Sequence, residues 1–235
     1  MSARSNGCDV IPTQEIAAKV LSLVEKEGIS VKTAIAKFAG KYDYKIRGSV
    51  HAYSIETLKR LNAIDYFLKN SAHNFDSLNP FVKNLLRIAV YEMKYKNVHP
   101  ALATDSAVRI AKKRNVKFAG LVNAILRKVE DMEIESNNSV ENVALTLFHP
   151  EWFVSYTYDL LGEEEAKKLM EANLTASTYI RVNELKSSVE SVVKYLEDNG
   201  IVLSPTFMDE VFKVESYERH PASLEWHSKD AGCLS

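Results

Sequence analysis

A chain of 235 residues, 46% of them hydrophobic, is long enough for one large domain or two small ones and can bury a real core. No apolar run approaches the ~18 residues that a membrane span needs, and residues 1–13 lack an apolar stretch of the signal-peptide type. We therefore expect a cytoplasmic protein without a membrane partner. Only two cysteines occur, Cys8 and Cys233, without CxxC spacing, which excludes a disulfide framework or a cysteine metal site within one chain.

Charge divides the chain into two parts. Residues 1–130 hold 22 Lys and Arg against 11 Asp and Glu, whereas the remainder holds 8 against 20. Such an asymmetry suggests two modules and a polyanionic partner for the basic one. The alternative that stays open is a pair of solvated surfaces of opposite sign that attract each other.

The first half is predicted to be all-helical, because its apolar residues recur at intervals of three and four and because Gly, Pro and Asn punctuate the pattern. Roughly six helices are expected. The first predicted helix ends at Gly28, and the second is capped by Ser30 and ends at Gly40. The third is one long helix whose apolar stripe runs from Ile46 to Leu68, and the fourth begins at Asn79–Pro80. The last two cover about 101–114 and 117–133.

The second half changes in character. Residues 135–139 are polar and without periodicity, and they coincide with the change in charge, so they predict a linker. A helix should start at Pro150, and a second should follow Gly162. The pattern then predicts strand, helix, strand and strand over 179–183, 187–199, 201–203 and 211–214. This is the beginning of a split βαβ sandwich, which would want further strands that the chain ends before supplying.

Four stretches of the first half resemble the successive core helices of the NusB family, namely 86–93 (LRIAVYEM), 99–100 (HP), 107–113 (AVRIAKK) and 117–127 (KFAGLVNAILR). The second half resembles the segment that follows a NusB-like domain in the RsmB/Sun family of RNA cytosine methyltransferases, through 149–153 (HPEWF), 161–162 (LG), 171–173 (EAN) and 180–183 (IRVN). The resemblance implies a mainly α protein. Its expected parts are a NusB-like helical RNA-binding domain over 10–134, a linker over 135–147, and an incomplete pre-catalytic α+β (ferredoxin-like) module over 148–235.

The sequence departs from the family pattern in several places. Ser106 stands where the family has a glutamate, and of the arginine-rich arm of free-standing NusB proteins only Arg4 remains, which favours the methyltransferase-type domain. Family members continue into a domain that binds S-adenosylmethionine on a glycine-rich loop and carries a cysteine nucleophile. Here the eight glycines form no GxG, and neither cysteine has a basic neighbourhood. We therefore expect a truncated product or amino-terminal fragment, with no cofactor and no catalytic residue in this chain.

The strongest candidates for RNA contact are five cations near one helix end: Arg109, Lys112, Lys113, Arg114 and Lys117. Positions 109, 112 and 113 fall on one helical face, and phosphate binding by such a set would depend steeply on salt. The alternative is that cations in a last helical turn merely offset the helix dipole.

Two further candidates are weaker. Lys41, Lys45 and Arg47 are flanked by Tyr42 and Tyr44, so the cluster either stacks an unpaired base or forms a solvated turn whose tyrosines fold onto the core. Arg181 alternates with apolar neighbours and should project from the strand face opposite the core. There it would meet RNA or a catalytic domain, or else form a cross-strand pair with Glu215.

The sequence and the resemblance together predict RNA binding. The resemblance implies that the chain is the substrate-positioning part of an S-adenosylmethionine-dependent RNA (cytosine-5) methyltransferase acting on rRNA or tRNA. The alternative is a stand-alone NusB-like adaptor, active in transcription antitermination or in binding a ribosomal protein. The six histidines lack the close pairing of zinc motifs, so no metal is expected.

Overall fold

The computed structural model describes residues 12–135, 137–175, 177–217 and 233–234, so Arg4 and Cys8 lie outside the described residues. The chain divides into two compact units, a helical unit over Met1–Lys168 and an α/β unit over Leu169–Ser235. None of the described helices combines the length and the apolar character needed to cross a bilayer. The described residues also contain no cluster of three His, Cys, Asp or Glu side chains suited to a metal ion.

Ten α-helices begin among the described residues of the helical unit, and the last of them crosses the division between the units. They are α1 (Thr13–Glu27), α2 (Val31–Ala39), α3 (Tyr44–Lys59), α4 (Leu61–Ser71), α5 (Pro80–Tyr95), α6 (Pro100–Arg114), α7 (Val116–Glu130), α8 (Val140–Thr146), α9 (Glu151–Leu161) and α10 (Glu163–Leu174), with a 3-10 turn at Phe75–Ser77. Helix α5 is the central one, since it packs against α1, α3, α4, α6 and α7.

Several helix ends are set by local chemistry that the sequence predicted. Gly28 ends α1 in the left-handed region at φ 64°, which glycine adopts without steric cost. The Ser30 hydroxyl accepts a hydrogen bond from the Thr33 amide at 3.2 Å and caps α2. Asn79 caps α5 by accepting from the Phe81 amide at 3.0 Å, with Pro80 in the first helical turn.

The single long helix expected between Ile46 and Leu68 is wrong, because the structure has two helices that meet at Arg60. Arg60 leaves helical geometry at φ −106° and ψ 17°. Its guanidinium lies 5.1 Å from the ring centroid of Phe148 and within 6 Å of those of Tyr91 and Tyr95, and it pairs with Glu56. The break therefore serves a tertiary contact, which the local apolar period does not encode.

The segment between α7 and α9 is anchored by side chains of α4 and α5. The Lys94 ammonium donates to the Glu130 carbonyl at 2.9 Å and to the Met132 carbonyl at 2.6 Å. Asn62 on α4 donates its amide to the Ala144 carbonyl at 2.7 Å and to the His149 carbonyl at 3.1 Å. The proposed linker 135–147 thus includes α8, which packs against α4 and α9.

The described residues of the α/β unit form four strands and one further helix: β1 (Thr178–Val182), α11 (Val189–Asp198), β2 (Ile201–Pro205), β3 (Val211–Tyr217) and β4 (Cys233–Leu234). The strand order is β2-β3-β1-β4, and every neighbouring pair is antiparallel. Val192 and Leu196 of α11 pack with Ile180, Val182, Ile201 and Val214 in the core of this unit. The prediction of a mainly α protein followed by a small ferredoxin-like module is confirmed.

The fourth strand was missed by the sequence pattern, which found three strands and expected no more. Cys233 pairs with Val182, and Leu234 pairs with Arg181, at the edge of the sheet beside β1. A strand of two residues carries no period of two, so only its pairing with β1 identifies it.

Candidate nucleic-acid interface

Five cations lie where α6 ends and α7 begins, and together they are named the α6–α7 cationic surface: Arg109, Lys112, Lys113, Arg114 and Lys117. Asn115 makes this close approach possible. Its amide donates to the Ala111 carbonyl at 3.0 Å as α6 ends, and its side chain accepts from the Lys117 amide at 2.9 Å as α7 begins. One residue thus caps both helices, and all five cations are exposed.

The five cations differ in what compensates their charge. Arg109 pairs with Asp105 at 3.1 Å across one helical turn, and the Arg114 guanidinium lies 4.0 Å from the ring centroid of Phe81. No carboxylate of the described residues lies within 4.0 Å of Lys112, Lys113 or Lys117. The surface therefore presents three lysines whose charge is open to a ligand.

A shallow cavity of about 190 Å³ joins part of this surface to the start of α1. It is lined by Pro12, Ser106, Arg109, Ile110 and Lys113. Only Arg109 and Lys113 of the five cations share it, although Lys112 is adjacent in sequence. A glutamate at position 106 would place a carboxylate beside these two cations, and the serine leaves their charge less compensated.

The helix dipole accounts for only part of the set. Lys112, Lys113 and Arg114 are in the last turn of α6, where a cation is stabilising. Lys117 is in the first turn of α7, where the positive end of the dipole makes a cation unfavourable. A purely dipolar role for the α6–α7 cationic surface therefore leaves Lys117 unexplained.

The second candidate cluster surrounds the start of α3. Lys41, Lys45 and Arg47 are exposed, and the Lys41 ammonium lies 5.3 Å from the ring centroid of Tyr42. Tyr42 packs against the core of the helical unit, whereas Tyr44 is 56% exposed. The two tyrosines therefore belong to different environments, and only the ring of Tyr44 remains open to a base.

Arg181 on β1 is exposed and alternates with buried Ile180 and Val182, so it lies on the sheet face opposite α11. The pairing with Glu215 considered from sequence is wrong, since Arg181 pairs with Glu210 at 3.4 Å. The register explains the difference. Arg181 is opposite Val211, which places the preceding Glu210 beside it, whereas Glu215 lies four residues further along β3.

Sequence reasoning missed a set of exposed apolar side chains on the same helix pair. Leu102 on α6 is 66% exposed, and Val116 and Leu121 on α7 are 69% and 38% exposed. Leu121 belongs to the apolar stripe of α7 in the sequence, yet its exposure separates it from buried Val122 and Ile125. Only the packing of α6 and α7 reveals which apolar residues remain outside.

Two models of protein families match the chain. The model of the NusB family matches residues 12–131, and the model described as "Methyltr_RsmF/B-like, ferredoxin-like domain" matches residues 149–217. A solved structure, the crystal structure of PH0851, has a TM-score of 0.66, is 18% identical, and covers 95% of this chain and 53% of its own. At that identity the likeness concerns the fold alone.

The chain is also similar to curated proteins of two kinds. It is 31% identical over 162 residues to the "Probable ribosomal RNA small subunit methyltransferase B" of Bacillus subtilis (strain 168), covering 66% of this chain and 36% of that protein. The "Ribosomal RNA small subunit methyltransferase B" of Cronobacter sakazakii is 23% identical over 207 residues, with 86% and 48% covered. The "Transcription antitermination protein NusB" of Thermodesulfovibrio yellowstonii is 34% identical over 89 residues, with 36% and 59% covered. The chain thus spans less than half the length of these two methyltransferases.

Proposed function

The chain belongs to the NusB family and carries a second domain homologous to that of the ribosomal RNA small subunit methyltransferases, and from this premise we propose that it binds RNA. The α6–α7 cationic surface is the proposed principal contact, and Lys41, Lys45, Arg47 and Arg181 are proposed as secondary contacts. The names of the relatives support RNA as the polyanion.

The observation that carries the proposal is the uncompensated charge of Lys112, Lys113 and Lys117. Exposed lysines without a carboxylate partner attract phosphates without first having to break an ion pair. Lys117 also supports the proposal, because it lies in the first turn of α7, where the helix dipole makes a cation unfavourable. Contacts of this kind fix the position and register of an RNA but do not read its sequence.

The finer role that we propose is to position a ribosomal or transfer RNA for cytosine methylation within a longer enzyme. S-adenosylmethionine would supply the methyl group in such an enzyme. The described residues do not fit that cofactor, since their single sheet is antiparallel and none of their glycines forms a GxG loop after a strand. The proposed task of this chain is therefore to position the RNA.

The test is a salt titration of RNA binding with a charge-reversed variant. Fluorescence anisotropy would measure the affinity of labelled small-subunit ribosomal RNA fragments, with bulk tRNA as a second probe, for the wild-type chain and for Lys112→Glu/Lys113→Glu. We expect the variant to bind at least tenfold more weakly, and the slope of log affinity against log salt to fall by about one for each phosphate contact removed.

The matched control is Lys26→Glu/Lys32→Glu, which changes the net charge equally at two exposed lysines of α1 and α2. It should shift affinity only slightly, through the long-range field. Equal losses of RNA affinity in both double variants would show that binding depends on the net charge of the chain and not on this surface. Unchanged RNA binding by the α6–α7 variant would refute the proposed surface.

A second candidate function rests on the exposed apolar side chains of the same helix pair. Leu102 and Val116 are each about two-thirds exposed, and a protein partner would remove this apolar surface from water. Under this alternative the chain is an adaptor of the transcription antitermination type. Leu102→Ser/Val116→Ser would then abolish binding of a ribosomal protein while leaving RNA affinity intact.

A further inference from the structure

In the described part of the α/β unit, α11 covers one face of the sheet, and the opposite face is here called the open face. Ile180 and Val182 of β1, together with Val214 of β3, turn towards α11 and are at most 8% exposed. Tyr179 and Arg181 alternate with them along β1 and therefore point to the opposite face. There Tyr179 is 48% exposed, and the Arg181 side chain is 66% exposed.

The register gathers a specific set of side chains on the open face. Lys213 of β3 lies directly opposite Tyr179 of β1 on one side and opposite Ser204 of β2 on the other. These three residues form one row across three strands, with Lys213 at its centre and Tyr179 and Ser204 at its two ends. Cross-strand neighbours in such a row are within contact distance of one another.

The charged groups around the tyrosine are paired with one another. The Lys213 ammonium lies 2.9 Å from a carboxylate oxygen of Glu215, which also accepts a hydrogen bond from the Ser204 hydroxyl at 2.7 Å. Arg181 pairs with Glu210 at 3.4 Å. Among the described residues, the open face therefore offers an aromatic ring bordered by two cations and two carboxylates, whose charges cancel.

Resting on the proposed function, we infer that this open face stacks an unpaired RNA base on the ring of Tyr179. A nucleotide complements the surface group by group, since its base has a π-face for the ring and its phosphate matches the Arg181 guanidinium. The exocyclic amino group of a base matches a carboxylate such as that of Glu215. Because the charges balance, the ring supplies most of the affinity here, in contrast to the α6–α7 cationic surface.

This difference gives the experiment its design. The full chain is titrated with a single-stranded RNA oligonucleotide that carries 2-aminopurine, and with a duplex of the same sequence, at several salt concentrations. Tyr179→Val removes the ring but keeps a good strand former, and Tyr179→Phe keeps the ring and removes only the hydroxyl. Circular dichroism and thermal unfolding verify that each variant is folded.

We expect Tyr179→Val to weaken single-strand binding by about 5- to 150-fold and to leave the salt slope unchanged, because stacking releases no counterions. Tyr179→Phe should bind like the wild type, and the change in 2-aminopurine fluorescence on binding should be lost only in the valine variant. Duplex affinity should not respond to either substitution. The matched control is Tyr156→Val, at a tyrosine of α9 that is 58% exposed, and it should have no effect.

Each other result decides against the inference. Wild-type affinity and fluorescence in Tyr179→Val would overturn base stacking while leaving the proposed phosphate contacts of Lys112 and Lys113 intact. A fall in salt slope would make Tyr179 part of an electrostatic contact. Failure of the wild-type chain to bind any of these RNAs would instead refute the proposed function itself.

Discussion

Positive charge has two opposite roles within the helical unit, one in its core and one on its surface. In the core, Arg87 of α5 is 8% exposed and makes two hydrogen bonds of 2.7 Å to the Asp65 carboxylate and one of 3.2 Å to Glu25. On the surface, Lys112 and Lys113 are exposed and have no such partner among the described residues. A buried cation needs carboxylate partners, whereas an exposed cation without a partner can bind a ligand.

Arg60 lies between these extremes. Its side chain is 23% exposed, and it pairs with Glu56 while its guanidinium faces the rings of Tyr91, Tyr95 and Phe148. Burial raises the pKa of Tyr95 to about 12. Aromatic faces here replace part of the water that a surface arginine would keep. The comparison therefore predicts that the cost of losing a cation follows its burial.

The largest effect is expected from Arg87→Ala. Removal of this side chain takes the guanidinium from the Asp65 carboxylate and leaves Lys83 as the cation beside Glu25, so the free energy of unfolding should fall by about 3–5 kcal/mol. Urea unfolding at neutral pH would measure the change. A loss below about 1 kcal/mol would mean that neighbouring groups or water compensate the carboxylates without Arg87, and the contrast with the surface would fail.

A smaller effect, about 2 kcal/mol, is expected from Arg60→Ala, which removes three ring contacts and the pair with Glu56. Because Phe148 follows α8, the loss should be local. Hydrogen exchange should accelerate over 140–149 more than in α5. Uniform acceleration throughout the helical unit would show that Arg60 supports the whole core instead of this segment.

The acid dependence of stability tests the Glu25 carboxylate without a mutation. Burial raises the pKa of Glu25, but hydrogen bonds from Lys83 and Asn84 and the charge of Arg87 lower it by more, so the pKa lies below its ordinary value of 4.5. Near and below pH 4.5 the unfolded chain therefore binds more protons at Glu25 than the folded chain does. The stabilising contribution of Glu25 should be complete above pH 4.5 and should be lost as the pH falls below it. In Arg87→Ala this acid-induced fall should be shallower, and an identical profile would contradict the coupling.

The smallest effect is expected from Arg109→Ala, the surface counterpart of Arg87→Ala. The side chains of Arg109 and Asp105 are 72% and 62% exposed, and exposed pairs of this kind stabilise by well under about 1 kcal/mol. The unfolding midpoint should therefore move within error, while RNA affinity decreases. A clear loss of stability would show that Arg109 stabilises the fold, as Arg87 and Arg60 are expected to do.

The fold was predictable wherever its cause is local. Gly28, Ser30 and Asn79 set helix ends through their own backbone or side chain, and each was read correctly. The break at Arg60 was not predictable, since it depends on Phe148, which is distant in sequence. Strand β4 was missed for the same reason, because its pairing with β1 alone defines it.

The candidate site followed a similar rule. Composition identified the cations, because lysine and arginine are recognisable by type. It did not tell compensated from uncompensated charge, which depends on neighbours such as Phe81 for Arg114 and Glu210 for Arg181. The row formed by Tyr179, Lys213 and Ser204 requires the register of three strands, and a single sequence does not contain that register.

The docking of Phe148 has a practical meaning for dividing the gene into fragments. A helical fragment cut at residue 134 would keep Arg60 and Tyr95 but lose the ring that covers them, and it would expose an aromatic hollow prone to self-association. A fragment that starts at 149, where the ferredoxin-like match begins, would lack α8, which packs against α9. The family match begins at residue 149, whereas the compact units divide after Lys168, within α10. Expression trials should therefore keep α8 and α9 with the helical unit and should not cut within α10.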